Sequence, residues 1–313
     1  MKNNRFIIVI VFFISTLLCS NNTEEYVILV SFDGFRYDYN NRIETPYFDY
    51  IENWGVKAKS LKPVFPSFTF PNHYAIVTGC YADKHRILGN EFNTEYGRYS
   101  YKDKTSVQDA KWYGAEPIWV TAEKNDIITG TYFWVGSEAP IGGYYPTYYK
   151  NYESGINPYD KVDQAIEWLE YPVSSRPRLV CLYFDEPDHA GHVYGPSSVE
   201  VDEQIEVSND ILGYLLRSVS KLDIFDKVNI IIVSDHGMID VSTNKIINID
   251  NFNIPGKTEG KGPLMSLKIE SGNDLSINEF DIPNVSIVSS ANNEILHYNN
   301  PIYDFLLIAN EGW

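Results

Sequence analysis

The stretch YVILVSFDG, residues 26–34, indicates the fold class of this chain. Its first seven residues carry no charge and are rich in β-branched and aromatic side chains, and its last two are Asp33 and Gly34. Continuous apolar runs bounded by turn residues are typical of strands buried in a parallel sheet. The stretch therefore predicts a buried strand that ends at an acidic residue.

Two later apolar runs end in the same way. LVCLYF at residues 179–184 precedes an acidic segment, and VNIIIV at residues 228–233 precedes Ser-Asp-His-Gly. Helical periodicity precedes each run, over Asp160 to Leu169 and over Val201 to Leu222. This alternation predicts an α/β fold with a mostly parallel central sheet and helices on both faces. In such sheets ligands bind beyond the carboxyl ends of the strands.

The charge of the chain limits its partners. The 313 residues include 42 acidic and 25 basic side chains, which give a formal net charge of −17. Binding of a nucleic-acid duplex requires a basic surface, so it is not expected. A small anionic substrate would need a local positive centre, for which a bound metal ion is the natural candidate.

Residues 1–20 form a predicted signal peptide. A basic start precedes a 13-residue apolar run, Phe6 to Leu18, which is short for a membrane span and typical of a secretory segment. Cleavage near Ser20 predicts a secreted or periplasmic protein. Two alternatives stay open, an uncleaved anchor and lipid modification at Cys19, and either would attach the chain to a membrane.

Export would leave two cysteines, Cys80 and Cys181. The sequence does not show whether their Cα atoms approach closely enough for a disulfide. Because Cys181 lies inside a strand-like run, we expect it to be a buried free thiol.

Acidic and histidine residues follow the three predicted strands. Asp33 follows the first strand, residues 185–192 (DEPDHAGH) follow the second, and Asp235 and His236 follow the third. Carboxylate and imidazole groups are ligands that zinc prefers. The middle segment offers two pairs at i, i+4 spacing, which spacing alone does not separate: Asp185 with His189, and Asp188 with His192.

The stretch PSFTFPNHYAIVTG, residues 66–79, offers a candidate nucleophile at a helix start. Pro71 suits the first helical turn and Gly79 suits the end of the helix. Thr69 precedes the predicted N-terminus, where backbone N–H groups favour phosphate, and Ser67 is the competing hydroxyl. A neighbouring metal ion would lower the pKa of either hydroxyl, so the residue physics leaves both open.

Six motifs in this chain resemble, in order and spacing, those of the nucleotide pyrophosphatase/phosphodiesterase family of the alkaline phosphatase superfamily. They are SFDGFR (31–36), TFPNHY (69–74), GNEF (89–92), FWVGSE (133–138), EPDHAGH (186–192) and SDHGM (234–238). The resemblance runs from residue 25 to residue 313, which implies one catalytic domain with an alkaline-phosphatase-like fold. It also implies a zinc-dependent hydrolase that cleaves phosphodiester and pyrophosphate bonds of nucleotides and releases nucleoside 5′-monophosphates.

The resemblance also implies individual roles. Thr69 matches the nucleophile that forms a covalent phospho-threonine, Asn90 matches an amide that steadies a phosphate oxygen, and His73 is interpreted as structural. The implied ligands of two zinc ions are Asp33, Asp235, His236 and the Thr69 oxygen for one ion, and Asp188 and His192 for the other. The aromatic residues that match positions around the substrate are Phe70, Trp134, Tyr152 and Tyr183.

One departure from the family pattern affects the second zinc site. A family histidine in a G-x-H-G-Y motif would lie beyond Trp313, so the chain resembles a catalytic domain truncated at its C-terminus and lacking one zinc ligand. His297 matches a different position and is not expected to replace it. The missing ligand leaves one alternative open, an inactive truncated fragment. A separate alternative concerns the substrate: a family member that cleaves lysophospholipid or choline-phosphate diesters.

Overall fold

The computed structural model describes residues 24–254, 256–270 and 282–313. The strands are β1 (Tyr26–Phe32), β2 (Glu91–Thr94), β3 (Gly97–Ser100), β4 (Thr129–Tyr132), β5 (Tyr148–Lys150), β6 (Leu179–Phe184), β7 (Val228–Val233), β8 (Gly256–Lys261), β9 (Leu264–Ile269), β10 (Val285–Ser289) and β11 (Phe305–Ala309). The helices are α1 (Pro46–Trp54), α2 (Thr69–Thr78), α3 (Ala82–His85), α4 (Lys104–Val107), α5 (Ile118–Glu123), α6 (Pro158–Leu169), α7 (Asp188–Tyr194) and α8 (Val199–Val219). Single turns of 3-10 helix lie at Tyr39–Asn41, Ala110–Trp112, Phe225–Lys227 and Ile249–Asn251.

The central sheet has five strands in the order β5-β4-β6-β1-β7, and every neighbouring pair is parallel. The three strands predicted from apolar runs are adjacent, with β1 between β6 and β7. Phe32 pairs with Phe184, and Ser31 pairs with Val233, so the carboxyl ends of the three strands are level. The predicted parallel α/β sheet is therefore confirmed.

Both faces of the central sheet are covered. Ile28 and Val30 point to one side of β1, where they belong to a core cluster that includes Leu215 of α8. Leu29 points to the other side and belongs to a cluster that includes Tyr74 of α2. Because successive side chains of a strand alternate between faces, a run that is apolar throughout needs cover on both sides. The prediction of helices on both faces is confirmed.

The interpretation of β7 as a fully buried strand is wrong. Within the described residues β7 pairs only with β1, so it forms an edge of the sheet. Its side chains are half-buried or exposed, and Ile231 keeps 48% of its surface accessible. An apolar run identifies a strand but does not reveal whether the strand is central, because position in the sheet depends on pairing between distant segments.

The two helices predicted before the strands are present with small shifts in their bounds. The helix α6 begins at Pro158, after the Asn157 side chain accepts a hydrogen bond from the Tyr159 N–H. The helix α8 begins at Val199, after the Ser198 side chain accepts from the Val201 N–H. Side-chain caps of this kind satisfy N–H groups that the first turn leaves unpaired.

A second, antiparallel sheet has the strand order β10-β11-β9-β8. Its own small core contains Leu267, Ile282 and Leu307. Leu306 of β11 faces the other way and belongs to the same core cluster as Leu29 of the central sheet. The alternation along β11 therefore joins the two sheets through shared apolar contacts.

Cys80 and Cys181 are free thiols, so they do not form a disulfide. Cys181 is buried as expected, and burial raises the pKa of its thiol well above the ordinary value. In the part of the chain that the structure describes, none of the helices combines the length and apolar character that crossing a bilayer requires. The predicted signal peptide at residues 1–20 and Cys19 lie outside the described residues.

Candidate active site

Three strand ends meet at one edge of the central sheet. The Asp33 N–H, directly after β1, donates to the Phe184 carbonyl at the end of β6 (2.9 Å). The Asp188 N–H donates to the Asp33 carbonyl (3.1 Å), and the Gly34 N–H donates to Asp235 Oδ1 (3.1 Å). These bonds hold the start of α7 and the loop after β7 against the end of β1. The carboxylates that follow the strands therefore lie close together.

Asp33, Asp235 and His236 form a candidate metal centre, since one ligand atom from each lies within 4.8 Å of the others. His236 Nε2 is 3.1 Å from Asp235 Oδ2 and 3.6 Å from Asp33 Oδ1. Both of these carboxylate oxygens are buried, and neither has a hydrogen-bond partner within the described residues. Buried carboxylate oxygens without partners are costly unless a cation neutralises them. The donor set fits a divalent metal ion, and its mixture of carboxylate and imidazole suits zinc.

The pKa shifts at this centre show an excess of buried negative charge. Burial, together with the charge of Asp235, raises the pKa of Asp33 to about 7. Burial, together with the charge of Asp33, raises the pKa of Asp188 to about 6. Burial lowers the pKa of His236, but the carboxylates of Asp235 and Asp33 outweigh it, so the pKa lies above its ordinary value. A bound cation would stabilise the charged form of both carboxylates and so oppose the effects of burial and of mutual repulsion on their pKa values.

Thr69 is the first residue of α2, and its hydroxyl faces the candidate metal centre. Thr69 Oγ1 lies 3.3 Å from His236 Nε2. Ser67, the competing hydroxyl, is exposed in the loop before the helix. The free N–H groups and the dipole of a helix N-terminus favour a phosphate group at this position. The arrangement therefore places a hydroxyl, a cation site and an anion site side by side.

Asn90 is attached to the same helix start. Its side-chain Oδ1 accepts a hydrogen bond from the Phe70 N–H (2.9 Å). Because a peptide N–H can only donate, this bond identifies the oxygen end of the amide and directs the NH₂ group away from Phe70. Asn90 thus presents a donor whose orientation is held by the first turn of α2.

Asp188 and His192 lie one turn apart on α7, with His192 Nε2 3.5 Å from Asp188 Oδ2. Asp188 Oδ1 is buried and has no hydrogen-bond partner in the part of the chain that the structure describes, whereas His192 is exposed. Of the competing pair, Asp185 lies 3.8 Å from Lys161 Nζ, and His189 is exposed. Of the two carboxylates, Asp188 is therefore the one that lies against Asp33 with a buried oxygen lacking a partner among the described residues.

Two groups of packed aromatic side chains include the predicted substrate contacts Tyr152 and Phe70. Tyr152 is 39% exposed and packs against Phe133, with ring centroids 5.1 Å apart. Phe70 packs against Tyr101 with a centroid separation of 5.7 Å, and Tyr101 is exposed. Tyr101 was not singled out in the sequence, where it stands in a tyrosine-rich segment without a distinguishing motif.

Two of the predicted substrate contacts have other partners. The Trp134 side chain is 0% exposed and its Nε1–H donates to the His73 carbonyl (2.9 Å), and its contact with a substrate stays a prediction. Tyr183 is buried and its hydroxyl donates to Asp33 Oδ2 (2.6 Å). Tyr183 therefore orients a candidate metal ligand, a role that the sequence did not reveal. The pairing of Ser31 with Tyr183 across β1 and β6 accounts for it.

Residues 27–313 match the family model of type I phosphodiesterase / nucleotide pyrophosphatase. The chain belongs to the type I phosphodiesterase family. This match confirms the resemblance inferred from the six sequence motifs.

Members of the type I phosphodiesterase family similar to this chain include two human proteins. Human ectonucleotide pyrophosphatase/phosphodiesterase family member 5 is 33% identical over 301 residues, 93% of this chain. Human family member 1 is 33% identical over 259 residues, 82% of this chain. The chain spans only 62% of the length of the first relative and 27% of the second.

The fold also agrees with solved structures of type I phosphodiesterase relatives. The structure of murine ectonucleotide pyrophosphatase/phosphodiesterase 5 superposes with a TM-score of 0.84 at 31% identity and covers 92% of this chain and 80% of its own. An inactive threonine-to-alanine variant of the same murine protein, in complex with AMP, superposes with a TM-score of 0.83 at 30% identity, covering 92% and 79% respectively. The predicted alkaline-phosphatase-like α/β fold is confirmed.

Gly34 separates the two groups of candidate ligands, and substitution by alanine should damage the site more than the fold. Its φ is +67°, and a Cβ would lie 2.8 Å from Asp188 Cβ and 2.9 Å from Asp188 Cα. The methyl group would push Asp188 away from Asp33, so we expect the metal affinity of Gly34→Ala to be lower by about 10-fold or more. Loss of groups that orient metal ligands has an effect of this size. Chelator competition measures this affinity.

Gly79→Ala is the matched control for this prediction. Gly79 also has a left-handed φ, +64°, but a Cβ there would meet no atom within 4 Å. Gly79→Ala should therefore cost stability through its backbone alone and retain metal affinity. Equal metal affinity in both variants would contradict the prediction.

Proposed function

We propose that this chain hydrolyses phosphodiester and pyrophosphate bonds of nucleotides through a covalent phospho-threonine at Thr69 and releases nucleoside 5′-monophosphates. The observation that carries the proposal is the position of Thr69 Oγ1, 3.3 Å from His236 Nε2 at the start of α2. A hydroxyl beside buried, unpartnered carboxylates and an imidazole suits metal-assisted nucleophilic attack. Membership of the type I phosphodiesterase family supports this reaction class.

The proposed cofactor is a pair of zinc ions. Asp33, Asp235, His236 and the Thr69 oxygen would hold one ion, and Asp188 and His192 would hold the other. The buried oxygens of Asp33, Asp235 and Asp188 that lack hydrogen-bond partners support both positions. When bound, zinc would lower the pKa of the threonine hydroxyl and stabilise negative charge that develops around phosphorus.

The proposed reaction has two displacements at phosphorus. The Thr69 oxygen forms a bond to phosphorus while the bond to the leaving oxygen breaks, and the nucleoside phosphate becomes esterified to Thr69. Water then attacks phosphorus from the side that the leaving group vacated, which releases the nucleoside 5′-monophosphate and restores the hydroxyl. Holding the hydroxyl and phosphate in line accounts for a large part of such catalysis.

Asn90 is proposed to stabilise a phosphate oxygen through its NH₂ group. The bond from the Phe70 N–H to Asn90 Oδ1 holds the amide in the orientation that this role needs. A donor oriented before the reaction stabilises developing charge without reorganisation.

Phe70 and Tyr152 are proposed to flank the nucleotide base. Tyr152 has an exposed ring, and Tyr101 extends the aromatic surface beside Phe70. The AMP complex of the murine relative supports a nucleotide as the substrate class. Stacking on aromatic faces tolerates any base, so we propose a preference for nucleotides without strong selection among bases. Substrate contacts of the buried residues Tyr183 and Trp134 stay predictions.

We also propose that the chain acts outside the cytoplasm. The apolar segment Phe6 to Leu18 supports export. Two relatives carry the prefix "ecto" in their names, which agrees with this location.

The nitrophenyl ester of thymidine 5′-monophosphate tests the proposed function, with nitrophenyl phosphate and nitrophenyl phosphocholine as competing substrates. We expect the highest kcat/KM for the nucleotide ester, loss of turnover with a chelator, and recovery on addition of zinc. Preference for the phosphocholine ester would favour the lysophospholipid-type alternative. Absence of turnover of all three esters with zinc present would favour the inactive fragment.

Substitution of Tyr152 tests the proposed base site. Because stacking contributes about 1–3 kcal/mol per base, Tyr152→Ala should raise KM for the nucleotide ester by about 5- to 100-fold. The value of kcat should change little, since the lost contact exists in both the ground state and the transition state. Steady-state kinetics separates the two parameters.

Tyr149→Ala is the matched control for Tyr152. Tyr149 is 40% exposed, close to the exposure of Tyr152, but it stacks on Tyr145 at a centroid distance of 5.2 Å. Tyr149→Ala should leave KM unchanged. A similar KM for the wild-type chain and Tyr152→Ala would show that Tyr152 does not stack on the nucleotide base.

A further inference from the structure

His73 is a buried residue of the TFPNHY motif for which the proposed reaction has no role. Its side chain is 0% exposed and lies one helical turn after Thr69. Its Nδ1 is 2.9 Å from the Thr69 carbonyl, and its Nε2 is 2.8 Å from Ser31 Oγ. The same Nδ1 lies 3.4 Å from Asp235 Oδ2. One ring therefore contacts the residue of the nucleophile, the strand that ends at Asp33, and a candidate metal ligand.

The partners of His73 identify the nitrogen that carries the proton. The Thr69 carbonyl can only accept a hydrogen bond, so Nδ1 must be the donor. In a neutral imidazole Nε2 is then an acceptor, and the hydroxyl of Ser31 donates to it. Both nitrogens have partners, which excludes His73 as a metal ligand.

Neighbouring rings hold the His73 imidazole in this orientation. Trp134 packs edge-on at a centroid distance of 5.3 Å, and Tyr183 packs edge-on at 5.1 Å. The Trp134 Nε1–H donates to the His73 carbonyl, so the backbone at this point is also held. An apolar residue could fill the same volume, but it would leave the buried Ser31 hydroxyl without its partner and remove the N–H that donates to the Thr69 carbonyl.

We propose that His73 is a positioning residue, whose Nδ1–H donates to the Thr69 carbonyl while Nε2 anchors the ring to Ser31, so that the Thr69 end of α2 is held against β1, beside Asp235. The orientation of the nucleophile relative to its metal ligands then depends on one tautomer of one buried ring. This inference rests on the proposed function for its effect on catalysis. Displacement of a reacting group by about 1 Å can cost about 100-fold in rate, so the contribution should be measurable.

Three substitutions of His73 separate positioning from packing. In His73→Asn the amide nitrogen replaces Nδ1, in His73→Gln it approaches the position of Nε2 instead, and His73→Leu has no donor. We expect kcat to fall by about 10- to 100-fold in His73→Gln and His73→Leu, with KM nearly unchanged, and to recover at least partly in His73→Asn. His297→Asn is the control, because His297 is exposed and stacks on Tyr81.

Nitrogen NMR of the ¹⁵N-histidine-labelled, zinc-free chain tests the tautomer without any assay of activity. The resonances of His73 are those that disappear in His73→Asn, and we expect them to show a protonated Nδ1 and an unprotonated Nε2. A protonated Nε2 with a bare Nδ1 would overturn the inference, as would a wild-type kcat in His73→Leu. If the wild-type chain cleaves no ester, the proposed function fails, while the tautomer still decides whether His73 bonds as inferred.

Discussion

Thr69→Ala should lower kcat for the nucleotide ester by at least about 10³-fold, because removal of a nucleophile from a group that acts as a unit abolishes most of its catalysis. Thr69→Ser should retain most of the activity, since it keeps a hydroxyl at the first position of α2. Substrate binding should persist in Thr69→Ala, because the cluster of Asp33, Asp235 and His236 is unchanged. Single-turnover kinetics and equilibrium binding of a nucleoside monophosphate measure the two effects separately.

Ser67→Ala is the matched control for Thr69→Ala. Both residues carry hydroxyls in the same motif, but Ser67 is exposed in the preceding loop. Ser67→Ala should keep the wild-type kcat. Full activity in Thr69→Ala together with a loss in Ser67→Ala would transfer the nucleophile to Ser67 and refute the proposed intermediate.

The stability of the metal-free chain should fall as the pH rises from about 4 to about 7. Folding raises the pKa of Asp33 from 3.8 to about 7 and that of Asp188 from 3.8 to about 6, mainly through burial. In this range the folded state binds more protons than the unfolded state, so the free energy of unfolding decreases with pH. We expect Asp33 to contribute a loss on the order of 2–4 kcal/mol between pH 5 and pH 8.

Comparison with Asp33→Asn isolates this contribution, because asparagine does not ionise. The comparison is needed because burial lowers the pKa of His73 and His85. Below about pH 6.5 these two groups make the free energy of unfolding increase with pH, the opposite of the effect of Asp33. In urea unfolding with a chelator, the free energy of unfolding should decrease more between pH 5 and pH 8 for the wild-type chain than for Asp33→Asn. Excess zinc at pH 8 should restore stability to the wild-type chain and less to Asp33→Asn. Parallel pH profiles for the two proteins would contradict the prediction.

The sequence predicted three strands from their apolar runs and missed the others, of which β4 and β5 are the two in the central sheet. β1, β6 and β7 each contain six or seven residues, most of them apolar. β4 (TGTY) and β5 (YYK) have four and three residues with little apolar character. They are strands because β4 pairs with β6, a contact between segments about 50 residues apart. Local strand propensity does not predict pairing between segments that are distant in the sequence.

The candidate metal ligands were predictable because each follows a strand, and parallel strands end at one edge. The exposure of the aromatic side chains was not predictable, because the sequence identifies each ring but not the residues that pack over it. Both Trp134 and Tyr152 match predicted substrate contacts, yet Trp134 is fully buried and bonded to the His73 carbonyl of α2, whereas Tyr152 is 39% exposed. The bond from Tyr183 to Asp33 likewise joins residues 150 positions apart and follows only from strand register.

The hydrogen bond between the Gly34 N–H and Asp235 joins residues 201 positions apart. At roughly 5–20 residues per second, a ribosome needs about 10–40 s after Gly34 to make Asp235. During that interval the growing chain contains Asp33 but not Asp235 and His236, which complete the candidate metal centre. The candidate centre is therefore completed late, after β7 has been synthesised and has paired with β1.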